Sequence, residues 1–499
     1  MVGVAAAIIF LQVLLARSAA TPGELTGFLS SGGTPLSCSV VSATPAAPGQ
    51  LSIITAMEVA PSTGVLFMAA SDGRNTGRYF VYRDGMSNLT ILPVTRPASA
   101  VTPATTIRHL SLMEVGSAVL LMLAATETGK TVEIFRVEDP LNTVLPRSLT
   151  LLQRAELQGT RGSITGMWAV WPRGLYVTSC RTNSGGVSNG CAVHHCQPQQ
   201  VDSANWRDEE LRLANTGSHG AEERAYTCTA AWEAPSDHLA LQGAVGSPLL
   251  SSLFVLVDVD SAVQPAATGG LGEGKGEFAA EPLLLGWSRD SRGRQPAHIG
   301  EPWIAANVSN SATAAAGSTR RRGMWGDVST GELLLSATVH RNGASAPSSA
   351  NSPARDTAVG KCVVESLALM PEGNRMYPAY QTTGSVGTAA TTHSPAATAA
   401  VVVASQVIAR SELYGCAGAV RLRAKSLGAS AMDEQTTLLA VGLWPHSKSL
   451  EAGFEAPLAL CQHTRAPAAE QTKTDEDNGG ETSVHELDMS VPSELKQEL

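Results

Sequence analysis

The feature that most restricts this chain is a repeat. The stretch MEVAPSTGVLFMAAS, Met57 to Ser71, returns as MWGDVSTGELLLSAT, Met324 to Thr338, with six of fifteen letters identical and Ser-Thr-Gly in register. Between them, SLMEVGSAVLLMLAAT sets Met113-Glu114-Val115 against Met57-Glu58-Val59, and ITGMWAVWPRGLYVTSC puts Met167 54 residues after Met113. Each copy reads as a strand, a turn of small residues and a second strand. The first continues through RYFVYRDG into NLTILPV and the second through KTVEIFRVEDP into NTVLP, so one unit holds three or four short strands at an offset of 53 to 56 residues. In the third, CAVHHC takes the place of the third strand.

Later strands, LLSSLFVLVDVDS, PLLLGWSRDS, AAVVVASQVIARS and TTLLAVGLWP, follow at irregular spacing. Low-complexity insertions separate them, at Gly269 to Gly276, Ser309 to Gly323, Gly343 to Ala358 and Thr382 to Ala399, and are expected to be disordered. Aromatic residues are only 5% and charged residues 16%, which favours many short strands over long amphipathic helices. A four-stranded unit of this length must bury its faces against neighbours, and the arrangement that does so is an all-β fold, the β-propeller. Residues 40–465 give room for six to eight blades, with seven the central expectation. The alternative is a set of separate β-sandwich domains, since turn geometry alone selects Thr-Gly between apolar strands.

The N-terminus, VGVAAAIIFLQVLLARSAA, is an apolar run followed by small residues, and residues 1–20 read as a secretory signal peptide cleaved near Ser18-Ala19-Ala20. No membrane span is expected after cleavage. The eight cysteines are then expected to be paired, and the sequons at Asn88 and Asn307 to be glycosylated. The formal charge of -9 is uneven: Thr464 to Leu499 holds nine acids against three bases, a net -6. Residues 466–499 therefore read as an acidic disordered tail on a nearly neutral body, without the basic stripe of a nucleic-acid binder. The single basic run, Arg320-Arg321-Arg322, is read as a solvated loop. The last four residues, Lys496, Gln497, Glu498 and Leu499, resemble the Lys-Asp-Glu-Leu retrieval signal, departing at the second position, which favours the endoplasmic-reticulum lumen over secretion.

Several motifs were weighed for chemistry. SCRTNSGGVSNGCAVHHC brings Cys180, Cys191, His194, His195 and Cys196 together, all zinc-ligand types, but adjacent strand histidines point to opposite faces. A disulfide from Cys180 to Cys191 is the better reading, with Cys196 paired elsewhere and Cys228 a candidate. GGLGEGKG, from Gly269, has Gly276 where a phosphate loop needs Ser or Thr, and it is rejected. WSRDSRG, from Trp287, is close to a sialidase Asp-box with its glycine one residue late. None of the seven tyrosines, Tyr79, Tyr82, Tyr176, Tyr226, Tyr377, Tyr380 and Tyr414, is flanked as a nucleophile would be. The tryptophans suit packing between blades. No catalytic, metal or cofactor set is assigned.

The blade sequences also resemble the sema domains of plexins and semaphorins. The likeness lies in GVLFMAASDGRNTGRYFVYRDGMSNLTILPV, in RGLYVTSCRTNSGGVSNGC and in GELLLSATVHRNG with GKCVVESLAL. It covers roughly residues 40–465, and no cysteine-rich module follows. The resemblance implies a lumenal or extracellular propeller that binds a protein through blade edges and loops. A non-enzymatic interaction or ligand-binding module is therefore the first expectation, with oligomeric state open. A sialidase-like lumenal glycoside hydrolase and a secreted surface antigen or adhesin are the alternatives.

Overall fold

The computed structural model describes residues 23–43, 52–72, 77–96, 106–115, 119–126, 130–139, 145–160, 162–170, 174–182, 188–198, 225–234, 239–247, 252–259, 281–288, 303–307, 319–326, 332–340, 360–372, 399–423, 436–444 and 455–464. The expected signal peptide, the acidic tail and most of the low-complexity stretches lie outside them.

An N-terminal arm comes first: β1 (Gly23–Leu25), β2 (Phe28–Leu29) and β3 (Cys38–Ala43). Blade 1 is β4 (Ser52–Val59), β5 (Leu66–Asp72), β6 (Gly77–Tyr82) and β7 (Thr90–Leu92), followed by the short β8 (Val94–Thr95). Blade 2 is β9 (Ile107–Val115), β10 (Val119–Thr126), β11 (Thr131–Glu138) and β12 (Ser148–Gln158); blade 3 is β13 (Ser163–Val170), β14 (Gly174–Thr182), β15 (Ser188–Pro198) and β16 (Ala225–Glu233). Blade 4 is β17 (Leu239–Ser247), β18 (Ser252–Val259), β19 (Glu281–Ser288) and β20 (Trp303–Asn307); blade 5 is β21 (Thr319–Gly326), β22 (Leu333–His340), β23 (Gly360–Glu372) and β24 (Ala399–Ser411). Blade 6 has β25 (Gly415–Arg423), β26 (Thr436–Trp444) and β27 (Glu455–Thr464), and β3 returns from the arm as its fourth strand. Within each blade neighbouring strands run antiparallel.

The first strands close a ring. β4 touches β9, β9 touches β13, and contact continues through β17, β21 and β25 back to β4. This circuit makes the protein an all-β propeller, and its described residues form six four-stranded blades, the lower end of the expected range. The expectation of seven came from chain length, which counts stretches outside the described residues, such as 260–280 and 373–398, as part of the repeat.

Period-2 alternation explains why the second strands read as unbroken apolar runs. In β5, Phe67 and Ala69 join the cluster shared with blade 2, whereas Leu66, Met68 and Ala70 join the one shared with blade 6. In β10, Leu120, Met122 and Ala124 face blade 1, and Leu121, Leu123 and Ala125 face blade 3. Both faces of a blade are core, so neither can be polar. Each fully buried Leu, Met or Phe contributes about 2 kcal/mol on area grounds.

The opening repeat is structural. Met57 pairs with Met68 and Val59 with Leu66; Met324 pairs with Leu335 and Gly326 with Leu333, the same ladder 267 residues on. Between β4 and β5 the Gly64 amide donates to the Ala60 carbonyl at 2.8 Å, with Gly64 at φ +67°, a left-handed conformation that favours glycine. The second Ser-Thr-Gly, Ser329 to Gly331, lies outside the described residues.

Three expectations are corrected. Arg320–Arg322 belong to the innermost strand of blade 5, with Arg321 opposite Thr338 and Arg322 opposite Ala337, because ladder pairing with β22 outweighs the loop-like composition around them. The NTVLP stretch, expected to carry the fourth strand of the second unit, ends before it, since that strand starts at Ser148. Strands also begin upstream of residue 40: β3, from Cys38, completes blade 6, and β1, from Gly23, pairs onto it.

Candidate functional site

The position after the repeat's methionine carries Glu58, Glu114, Trp168 and Trp325 on four of the six inner strands, each paired to the second strand of its blade. Two of these residues meet. The indole Nε1 of Trp325 on blade 5 donates to Glu58 Oε1 on blade 1 at 3.3 Å, reaching past the inner strand of blade 6. Glu58 keeps some accessible surface yet is surrounded by protein atoms. Burial pushes its carboxyl up to about 8, and the hydrogen bonds from Trp325 and the Val59 backbone offset only part of that. The carboxyl is therefore protonated through most of the neutral range. Met57 packs next to it against Gly442, where an added Cβ would lie 3.1 Å from the thioether sulfur.

Glu114, the equivalent acid of blade 2, accepts the Ser62 amide at 2.9 Å and ties the first turn of blade 1 to its neighbour. His109 on the same strand places Nε2 3.3 Å from the Ile164 carbonyl oxygen, and burial lowers its imidazole to about 4. It is neutral at physiological pH and donates that bond. Among the described residues no group of three or more His, Cys, Asp or Glu side chains could hold a metal ion.

Blade 3 holds the cysteine-histidine cluster. Cys180 is bonded to Cys191 across β14 and β15, and Cys196 to Cys228 across β15 and β16. His194 Nε2 lies 2.9 Å from Ser179 Oγ with both side chains fully buried, while His195 stacks on Tyr176 at 4.8 Å. Tyr176 also stacks on Trp168 at 5.6 Å. The histidines pack as part of the blade. A side chain at Gly174 would strike the Cys196 carbonyl oxygen at 2.7 Å, at a φ of +107°. Two further bridges were not paired from sequence: Cys38–Cys461 joins β3 to β27, and Cys362–Cys416 joins blade 5 to blade 6. Cys38 and Cys461 are the first and last cysteines, a signal of ring closure that was available.

Of the other candidates, Asn88 is half-buried just before β7, and Asn307 is the last residue of β20. Trp287 is buried edge-on against Trp232 at 5.5 Å and Ser288 ends β19, whereas Arg289 to Gly293 lie outside the described residues. So do Gly269–Gly276, Tyr377, Tyr380 and Lys496 to Leu499. Tyr79, Tyr82, Tyr176 and Tyr414 are buried core residues. No helix among the described residues is long and apolar enough to cross a membrane.

The ring, its closure by an N-terminal strand and its four disulfides define a β-propeller, with six blades among the described residues, stapled at blades 3, 5 and 6. No family model matches the sequence, and no curated protein does. Among solved structures, the chain is similar to the plexin A4 extracellular region, domains 1 to 8, at 8% identity over 84% of this chain and 47% of that one, with TM-score 0.35. It is similar also to Drosophila Semaphorin 1a, extracellular domains 1–2, at 10% identity over 87% of this chain and 80% of that one, with TM-score 0.33. A third is the Chaetomium thermophilum Nup170 NTD–Nup53 complex, at 10% identity over 82% and 58%, with TM-score 0.36. The chain thus spans about half the length of the plexin.

Proposed function

We propose that this protein is a non-enzymatic propeller of the secretory pathway that presents loops and rim to a protein partner, and that Lys496 to Leu499 return it to the endoplasmic-reticulum lumen. One observation carries the reading. A ring tied by four disulfides carries connections that differ between copies in length and letters, 199–224, 341–359 and 373–398 among them, which is how rigid scaffolds present recognition loops. Several buried polar groups serve the ring itself. Arg421 on β25 pairs with Glu332 beside β22, and the Thr338 hydroxyl both donates to the Cys416 carbonyl at 2.7 Å and accepts its amide at 2.9 Å.

Glu58 supports a second reading, a glycoside hydrolase, because a carboxyl held protonated near neutrality is what a general acid requires. The two readings separate in one experiment on protein purified from the lumen. Binding predicts a stoichiometric cross-linked complex that survives Glu58→Gln and disappears when residues 341–359 are replaced by a Gly-Ser linker. Hydrolysis predicts turnover of aryl glycosides that Glu58→Gln abolishes, and finding this without a complex would overturn the binding reading. For the compartment, deleting the last four residues should move the protein into the medium. Wild-type protein already accumulating there would reject retrieval.

A further inference from the structure

The N-terminal arm lies over the ring as a strap. One end is fixed to blade 1, where the Ser42 carbonyl accepts the Leu89 amide at 3.1 Å and Ala43 bridges Leu89. From there the arm follows strands from the other end of the chain. β3 pairs with β27 from Ala43 opposite Glu455 to Cys38 opposite Cys461, and the Ser37 carbonyl accepts the Gln462 amide at 2.9 Å. β2 pairs with β24 at Phe28 opposite Ser411 and Leu29 opposite Arg410, and Phe28 stacks on Tyr414 at 6.0 Å. Outside β3 lies β1, three residues of the arm itself. Lifting the arm about Ser42 and Ala43 therefore parts β2 and β3 from the ring and leaves β25, β26 and β27 paired with one another.

The four disulfides differ in what must open to reach them. Cys180–Cys191 and Cys196–Cys228 lie within the nine-stranded sheet, between β13 and β12. Cys362–Cys416 joins β23, which has β22 and β24 on its two sides, to the innermost strand of blade 6. Reaching any of these three parts the interior of a blade. Cys38–Cys461 needs only the arm to lift, and opening at a chain terminus is easier than opening a blade. Both of its cysteines are buried while the arm is down. The same topology sets the order of formation: β3 gains its partner only when β27 is in place, across a separation of 423 residues against 11, 32 and 54 for the others.

We propose that Cys38–Cys461 is a redox-operated latch on this strap, the last of the four bonds to form and the first to be reduced, worked by a dithiol oxidoreductase of the lumen. The proposal rests on the secretory reading above. In opening, a thiolate of the enzyme attacks the sulfur of one cysteine, a mixed disulfide forms as the Cys38–Cys461 bond breaks, and the other cysteine leaves as a thiolate that takes up a proton. The enzyme's second thiol gives up its proton and attacks the mixed disulfide, which frees the chain with both cysteines reduced and leaves the enzyme oxidised. Closing runs the same steps backwards, and the two electrons from Cys38 and Cys461 reduce the enzyme's disulfide. Lifting takes Phe28 off Tyr414 and uncovers the outer side of β27, so the open and closed forms offer different surfaces at blades 5 and 6.

The test uses the folded full chain purified from animal cells under an alkylating quench. Reduced thioredoxin is added without denaturant, thiols are alkylated at intervals, and peptide mass spectrometry follows each cysteine. Cys38 and Cys461 should become labelled about ten-fold faster than the other six. Phe28→Ala, which loosens the arm, should speed labelling of that pair several-fold and leave Cys180 and Cys191 unchanged. In a separate arm, fully reduced and unfolded chain in a glutathione buffer should pass through a species with three bridges and thiols at Cys38 and Cys461. One common rate of reduction, or another bridge opening first, would overturn the latch and leave the secretory reading intact, whether or not the unfolded chain refolds. All eight cysteines isolated as thiols would overturn both.

Discussion

Glu58 and His109 sit on adjacent inner strands, and burial shifts both toward their neutral forms. Their effects on stability have opposite signs. Glu58 binds its proton more tightly in the folded chain, so it favours the fold below pH 4.5 and loses that contribution as pH rises toward about 8. His109 binds its proton less tightly when folded, so its contribution is complete above pH 6.5 and is lost as pH falls toward about 4. Urea unfolding from pH 4 to 9 should therefore show a maximum near the middle of that range. Glu58→Gln should flatten the alkaline side, with a gain of about 1–2 kcal/mol at pH 8.5, less than the full shift implies because the side chain keeps some accessible surface. An unchanged alkaline limb would show that Glu58 is solvated. The Arg421–Glu332 pair offers a test without titration, since the two side chains are only 9% and 10% exposed and Ser366 also donates to Glu332. Arg421→Met should cost about 3–5 kcal/mol by taking the arginine from a buried carboxylate, whereas Arg421→Met/Glu332→Leu should recover most of it. Equal losses in the two would mean that the arginine stem, and not the charge, matters there.

Between elements, the disulfides divide by purpose. Cys180–Cys191 and Cys196–Cys228 staple a blade whose strands already pair, closing separations of 11 and 32 residues. Cys38–Cys461 closes a separation of 423 residues and holds the strand that completes blade 6. The chain-entropy account then expects Cys38→Ala/Cys461→Ala to lose about 2–3 kcal/mol more than Cys180→Ala/Cys191→Ala, measurable as a difference in denaturant midpoint at equal slope. Equal losses would place the stabilisation in local packing. The same contrast marks how far the fold was legible in the sequence. The runs LFMAA and LLMLAA could be read as strands because neighbours bury both faces, and the Pro-Ser-Thr-Gly turn fixed where they reverse. Closure was harder to read, because β3 and its partner β27 sit at opposite ends of the chain and the only sign of it was that Cys38 and Cys461 are the first and last cysteines. Glu58 and Trp325 stood in plain view at equivalent places in the repeat, but nothing local shows that an acid and an indole 267 residues apart meet.

At the scale of the ring, stability is unevenly spread. Blades 2 and 3 belong to one nine-stranded sheet through the β12–β16 pairing, share an apolar cluster from Met113 to Cys228, and hold two disulfides. Blades 5, 6 and 1 share a different cluster that includes Leu25, Phe28, Cys38 and Val41 from the N-terminal arm. Removing the arm therefore takes the outer strand from blade 6, the cover strand from blade 5 and part of their common core in one step. A chain lacking residues 1–43, given a replacement signal, should lose amide-exchange protection first across β25, β26 and β27, whereas β9 to β16 stay protected, because each blade depends mainly on its neighbours. The intact chain should show no such gap, since a closed ring leaves no blade with a single neighbour. Uniform loss of protection around the truncated ring would mean that closure makes six blades one cooperative unit, and that the arm is the element on which all of them depend.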